Sequence, residues 1–385
     1  MFLNNINMDI NSVLIYLVVF GISIACIFLS EHIKGSKLAK SLLTYFAVFV
    51  ICIFAALRDP SVGADVEHYL VPNYKHALSI HTGFWHFYNT LPIDNEILFA
   101  LLIYFFAKIG NYTLLCFTIE LLVVCPVIYV LKKENKKVSV TLGYTLFLLL
   151  FYNFSLSGMR ASISMSFFLL AFWFWKEKKN KRGLMFFVIA FLFQKTILFA
   201  LIIAFCINYI ENSKKRMKII LGFIFLSFIG AMLICYTKLS AYIIPLVNII
   251  NPRYGNYIQM YLVKMPGFTA SNIPSTDIVV KTSIVMMIFF FRRKNKGIDK
   301  QENFCFAMCL MGRYFVLFNS VFYESMRIAY LFDYFVIYYA SLLGKGVNNA
   351  KLLEKILIVL AALAYWLYFI MYIGGYETNL YKLYF

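Results

Sequence analysis

Residues 10–29 read INSVLIYLVVFGISIACIFL, twenty residues without a charge. A helix rises about 1.5 Å per residue, so this run matches the roughly 30 Å hydrocarbon core of a bilayer. Residues 30–40 then supply Lys34, Lys37 and Lys40, and a second apolar run fills 41–57. The same alternation continues to the other end of the chain. Apolar runs near 112–131, 138–153, 158–175, 183–194, 196–210, 219–235, 278–291, 304–322, 326–343 and 356–373 bring the expected spans to twelve. Composition agrees: 62% of the 385 residues are hydrophobic, 14% are charged, and the mean hydropathy is +0.77. An ordinary soluble domain carries about 25% charged residues, which excludes a soluble enzyme and a disordered chain. The expected fold is an all-α polytopic integral membrane protein, with one membrane domain over residues 1–385. No cleavable signal peptide is expected, because the first apolar run lacks a basic preceding region and is long enough to stay as an anchor.

In a soluble protein a net charge of +18 would suggest nucleic acid. Here the cations follow topology instead. Residues 30–40, 132–137, 176–182, 211–218, 292–303 and 344–355 together hold 24 of the 36 lysines and arginines. Placed on one side, these loops define the cytoplasm, and both termini then face outward. This assignment requires 96–109 (EILFALLIYFFAKI) to be an outer interfacial or re-entrant helix, since a crossing there would move 132–137 outside. It also requires a tight outer hairpin at 194–196. Two long outer loops remain, 58–95 and 236–277. Loops of this length in a compact protein usually carry function or short helices. The eight cysteines lie in or beside apolar runs without metal-ligand spacing, and read as packing or lipid-facing residues.

Several of the other cations sit where topology gives them no reason to be. Arg58 follows the second span, Arg160 and Arg327 open later spans at the outer edge, Arg253 lies in the second long loop, and Arg313 lies within a span. An arginine near the bilayer centre costs about 2.5–3.5 kcal/mol on insertion scales, so each needs an offset. A single arginine near a helix end can snorkel to the headgroups. Four at one outer face point rather to a shared anionic ligand, a lipid phosphate or pyrophosphate, which the planar guanidinium fork suits. The run Arg58-Asp59-Pro60-Ser61-Val62-Gly63-Ala64-Asp65 is the most distinctive: a Pro/Gly turn sets two carboxylates beside an arginine directly after a membrane helix. It reads either as a general base with an orienting ion pair or as a capped, solvated loop start. Glu324 stands one turn from Arg327 as its structural partner, and Asp333 lies six residues beyond. His76, His81 and His86 are five apart, which spreads them around a helix, and no metal or cofactor is expected. Tyr69, Tyr74, Trp85 and Tyr88 are outside, where sugar stacking and interface anchoring explain them equally well.

The run ALRDPSVGADVEHYL resembles the Arg…Val-Gly-x-Asp…Tyr signature of the EpsG-like branch of bacterial polysaccharide polymerases, the Wzy type. Arg58, Gly63, Asp65 and Tyr69 fall on that motif. Further segments resemble the family in the same order. SGMRASISMSFFLLAF keeps Arg160 but has Ala161 where Gln is usual. AFLFQKTILFAL has Gln194 and Thr196 where the family usually has His followed by Ser-Ala, so no histidine base is carried to position 194. NPRYGNYI, with Arg253 and Tyr254, resembles a Tyr-rich outer segment, and ESMRIAYLFDYF places Arg327 and Tyr330 on the late Arg-x-x-Tyr-Phe helix.

The resemblance implies polymerisation of undecaprenyl-pyrophosphate-linked oligosaccharide repeat units at the outer face of the bacterial inner membrane. The implied fold is similar to the GT-C-like membrane glycosyltransferase class. Donor and acceptor are both lipid-linked, and the implied partners are a Wzz-type chain-length regulator and a Wzx-type flippase, with no nucleic acid. Asp65, Arg160 and Arg327 are the expected catalytic residues. Arg58, Asp59, Tyr69, Arg253, Tyr254, Glu324 and Tyr330 are the expected substrate-binding residues. The rival readings are a flippase for the same lipid and an O-antigen-ligase-type transferase with the same donor and another acceptor.

Overall fold

The computed structural model describes residues 9–211, 245 and 275–384, apart from 35, 92–95, 135–137, 296–299, 318–324 and 345–348. Among the described residues the fold is all-helical. Helix α1 (Ile10–His32) starts where the Asp9 carboxylate accepts from the Asn11 and Ser12 amides, and Ser36 caps α2 (Lys37–Ala56) likewise. The first long loop carries a wide π-type turn at Val66–Leu70, then α3 (Val71–Ser79) and α4 (Phe84–Asn89). After α5 (Ile97–Ile109), Asn111 caps α6 (Tyr112–Lys133). Helix α7 (Val140–Phe147) continues through a π-type turn at Leu148–Tyr152 into α8 (Asn153–Ser157), and the chain breaks at Gly158 before α9 (Met159–Lys176). Helix α10 (Asn180–Phe193) ends at Gln194, whose backbone is extended, and α11 (Ile197–Glu211) begins three residues later, so the break expected at 194–196 is present. Then come α12 (Ser275–Asn295), α13 (Lys300–Leu317), α14 (Ser325–Asp333), α15 (Phe335–Ser341) and α16 (Asn349–Tyr365), the last prolonged by a π-type turn at Trp366–Tyr372.

Among the described residues, five helical stretches are long and apolar enough to cross a membrane: Ile10–His32, Lys37–Ala56, Tyr112–Lys133, Val140–Ser157 and Leu352–Tyr372. The chain is a membrane protein on this ground. Other expected spans are helical but shorter, as in α10 and α11, or carry charge, as in α12 and α13. The run 219–235 and nearly all of the loop 236–277 lie outside the described residues.

The chain forms two compact units, Met1–Leu198 with Ile337–Phe385, and Phe199–Val336. In the first unit, four of the basic loops gather at one end. The Glu31 carboxylate accepts from the Val140 and Thr141 amides at the start of α7, 3.2 and 2.9 Å away. Lys132 donates to Ser30 and Thr44, and Lys176 pairs with Glu134 at 2.9 Å and donates to the Tyr338 hydroxyl at 2.6 Å. The Ser139 amide meets the Ser341 carbonyl at 2.8 Å. These contacts collect the end of α1, the start of α2, the ends of α6, α9 and α15, and the start of α7.

The middle of this unit is packed with aromatic rings. Tyr16, Phe20, Phe54, Tyr152, Trp366 and Tyr381 meet at centroid distances of 4.1–6.4 Å. A buried tyrosine hydroxyl needs an acceptor, and here backbone carbonyls supply it: Thr378 for Tyr16, Ile51 for Tyr152 and Phe54 for Tyr381.

Both ends of α5 are held away from the basic loops. Glu96, at its start, binds Arg160 at the start of α9, and Lys108, near its end, donates to the carbonyls of Ala77 and Ile80 in the first long loop. Thirteen residues make a helix of about 20 Å, short of a bilayer core. The geometry therefore fits a helix that enters and leaves on one side.

Within the second unit, Arg313 receives the offset that its place in a span demands. Its guanidinium donates to the Asp277 carboxylate at 3.0 Å and to Asp333 Oδ1 at 3.0 Å. Lys281 pairs with Asp277 at 2.7 Å and lies over the Tyr330 ring at 4.3 Å. All four charged side chains are buried, and two cations balance two carboxylates. Asp333 thus serves Arg313.

Candidate functional site

The site is built where α2 ends. The backbone after Leu57 turns sharply, and the turn is held from two sides. The segment after α16 folds back over it: Arg58 bridges Leu383 in antiparallel fashion, the Asp59 amide donates to the Lys382 carbonyl at 2.8 Å, and the Gly63 amide donates to the Glu377 carbonyl at 2.9 Å. Beneath, Gly63 presses on the break between α8 and α9. Its φ of +102° is a left-handed value, and a β-carbon there would stand 2.8 Å from the Leu156 carbonyl oxygen. Both facts require glycine. Gly63→Ala is expected to destabilise the protein by about 1–3 kcal/mol and to lift the turn from α8. A melting curve of the purified variant, with an unchanged midpoint as the contrary result, checks this.

The turn delivers the motif residues to one place. The Asp65 amide reaches the Ser157 hydroxyl at 3.4 Å, and Asp65 itself is half-buried. Tyr69, one turn further on, lies with its ring 5.8 Å from the Arg160 guanidinium. Arg160 makes a 2.7 Å ion pair with Glu96, both side chains about 15% exposed. A guanidinium held by a carboxylate and an aromatic face is oriented and still reachable.

Asp59 is committed locally. Its carboxylate accepts from the Ser61 amide at 2.9 Å, and hydrogen bonds from the Ser61 hydroxyl and amide hold its pKa below the ordinary carboxylate range. A carboxyl made more acidic is a weaker base near neutral pH, so Asp59 serves the turn. It makes no side-chain bond to Arg58 among the described residues.

Arg58 turns inward and is 2% exposed. Its Nη2 meets the Met159 sulfur at 3.7 Å, while Nε and Nη1 have no hydrogen-bond partner among the described residues. Tyr16, Tyr112, Cys116, Glu120 and Tyr381 lie within its electrostatic reach. The Glu120 carboxylate is 1% exposed, and its two oxygens accept from the Ser155 hydroxyl at 3.0 and 3.1 Å.

Arg58, Asp59, Asp65, Tyr69 and Arg160 are therefore brought together in the first unit. Arg327 and Tyr330 lie on α14 in the second unit, Arg327 half-buried and Tyr330 buried beneath Lys281. Arg253, Tyr254 and Glu324 lie outside the described residues. Sequence reasoning missed Glu96, Glu120, Ser155 and Ser157. Glu120 carries a usable signal: it is the only charged residue between Tyr112 and Leu131, and a carboxylate inside a span is a functional-site candidate by default. Glu96 carries none beyond its place at the head of an apolar run. Among the described residues no three histidine, cysteine or acidic side chains are grouped as metal ligands.

A polytopic helical membrane protein with an arginine–carboxylate site at the end of its helices away from the basic loops is the class that these features define. The chain belongs to the EpsG family, whose model matches residues 41–384. The family sets it in polysaccharide biosynthesis, in a polymerase-like role of the glycosyltransferase kind. No curated protein and no solved structure matches the chain.

Proposed function

We propose that the protein polymerises undecaprenyl-pyrophosphate-linked oligosaccharide repeats at the outer face of the bacterial inner membrane, as a Wzy-type polymerase. The observation that carries this reading is the Arg160–Glu96–Tyr69 cluster beside Asp65, at the end of the first unit away from the basic loops. By the positive-inside rule that end is outside, where flipped lipid-linked repeats would be. The acceptor hydroxyl oxygen attacks the anomeric carbon of the donor. The bond from that carbon to the pyrophosphate oxygen breaks, its electron pair leaves with undecaprenyl pyrophosphate, and the hydroxyl proton passes to Asp65. Arg160 meets the charge that develops on the pyrophosphate, exchanging Glu96 for phosphate oxygens. Arg327, on the other unit, is proposed independently as a phosphate-binding arginine. The twelve-span, GT-C-like architecture and the Wzz-type and Wzx-type partners belong to the same proposal.

Extension of a defined polyprenyl-pyrophosphate oligosaccharide by the purified protein tests it. Long lipid-linked products support the reading, and an absence of product with intact protein opposes it. In cells lacking the protein, single capped repeats mean a polymerase, unattached long chains a ligase, and no outer-face repeat a flippase. Topology is checked separately: a reporter at Asn135 is expected to read cytoplasmic and one at Trp85 outside, whereas an outside reading at Asn135 would mean that α5 crosses the membrane.

Arg160→Lys keeps the charge and loses the two-pronged fork. A hydrogen bond to a charged group contributes about 1.5–3 kcal/mol, so turnover is expected to fall about 10–100-fold while the protein still inserts. Normal product length in this variant would reduce Arg160 to a membrane anchor. Arg327→Lys is read in the same assay.

A further inference from the structure

We infer that Arg58 and Glu120 form a buried site for a hydroxylic oxygen, one that accepts from Arg58 and donates to Glu120. The two side chains are 2% and 1% exposed and within electrostatic reach of each other, yet they make no direct ion pair among the described residues. Two guanidinium nitrogens, Nε and Nη1, are buried with no acceptor among the described residues. Among the described residues Glu120 accepts only from Ser155, and its oxygens have lone pairs for more donors. The Tyr112 hydroxyl lies beside the Cys116 thiol and has no oxygen or nitrogen partner among the described residues. Buried donors and acceptors in folded proteins are nearly always paired, so this cluster of unmet groups marks a site.

The chemistry of the groups selects the ligand. An anion would suit Arg58 but would be repelled by Glu120, and a cation would meet the reverse. A hydroxyl has one proton to give and two lone pairs to offer, which satisfies both sides at once. Water and a sugar hydroxyl share this chemistry. The elements around the pair contribute further titratable groups: Cys52 from α2, Tyr144 from α7, Tyr152 from the turn after it and Tyr16 from α1. None of these brings a second cation, so Arg58 and Glu120 set the polarity of the site. Arg58 also sits at the root of the motif turn, so an oxygen bound here fixes the base of the loop that presents Asp65. If the oxygen belongs to the acceptor sugar, the inference rests on the polymerase reading. If it is water, the site stands without it.

The test is a double-mutant cycle on the purified full chain. Arg58→Met, Glu120→Gln and the double variant are melted without substrate, and the acceptor KM is measured for Glu120→Gln and Tyr112→Phe. Bound water predicts that each single variant melts lower, that the double variant recovers a large part of the summed loss, and that the acceptor KM is unchanged. An acceptor hydroxyl predicts an unchanged midpoint for Glu120→Gln with its acceptor KM raised about tenfold or more, a pocket built for a hydroxyl being sensitive to its partner. Arg58→Lys replaces Arg58→Met in the cycle where the methionine variant does not fold. Strictly additive melting losses together with an unchanged acceptor KM would overturn the site. The melting arm reads out in a chain of any activity, so it separates failure of this inference from failure of the polymerase reading.

Discussion

Asp333→Asn is expected to cost about 3–5 kcal/mol of stability, because it strands the Arg313 guanidinium inside the second unit. Arg313 is 6% exposed and donates to two carboxylates from different helices, Asp277 on α12 and Asp333 on α14. With Asp333 neutral, two buried cations face one carboxylate, and the excess charge has no solvent to screen it. The surroundings do not offer an escape. A β-carbon at Gly312 would stand 2.1 Å from Asp333 Oδ1, so the carboxylate is seated directly against the backbone of α13. Removing both partners is a different matter. Arg313→Met with Asp333→Leu leaves Lys281 and Asp277 as a neutral pair, and apolar replacement of a buried ion pair is often neutral or better. The expected pattern in a thermal melt is therefore a large loss for Asp333→Asn and a much smaller one for the double variant. Equal losses would mean that shape at position 333 matters and charge does not. Asp333 also ends the helix that carries Arg327, so a loosened α14 is expected to lower any activity that depends on Arg327.

Spans and partners differ in how they are written into the chain. An apolar run is local: residues 10–29 declare a membrane helix whatever the rest of the chain does, and α1, α2 and α6 stand where their runs predict. Placing 96–109 on one side followed from charge bookkeeping over distant loops, and the contacts of Glu96 and Lys108 agree with it. The Arg58–Asp65 turn was legible from Pro60 and Gly63, since those residues fix backbone shape by themselves. The partners of the motif residues were not legible. Glu96 lies 64 positions from Arg160, and the strap over the turn comes from Glu377 to Tyr384, more than 300 residues on. No periodicity records such pairings. The fate of Arg313 shows the same limit: its need for an offset follows from burial alone, but that Asp277 and Asp333 supply it depends on how three helices pack.

Asp65→Asn is expected to lower turnover about 10²–10⁴-fold, the usual cost of losing a positioned base. Asparagine keeps the shape and hydrogen-bonding capacity of aspartate but cannot take a proton at neutral pH. The structure narrows the choice among nearby carboxylates. Asp59 is tied to Ser61 and made more acidic, which weakens it as a base, so Asp59→Asn is expected to cost much less. Glu96 is engaged by Arg160, and Glu120 is buried below the turn. Asp65 is half-buried, its amide beside the Ser157 hydroxyl, on the segment that carries Tyr69 towards Arg160, so it combines access with a place next to the arginine that would meet the pyrophosphate. Single-turnover extension at saturating substrate isolates the chemical step from binding. Loss of rate in Asp65→Asn with substrate binding retained assigns the base. Near-normal turnover in Asp65→Asn with an inactive Glu96→Gln would move the base to Glu96, released when phosphate displaces it from Arg160. Activity in both variants would leave the proton to substrate hydroxyls or water, with the protein supplying position and the charge of Arg160.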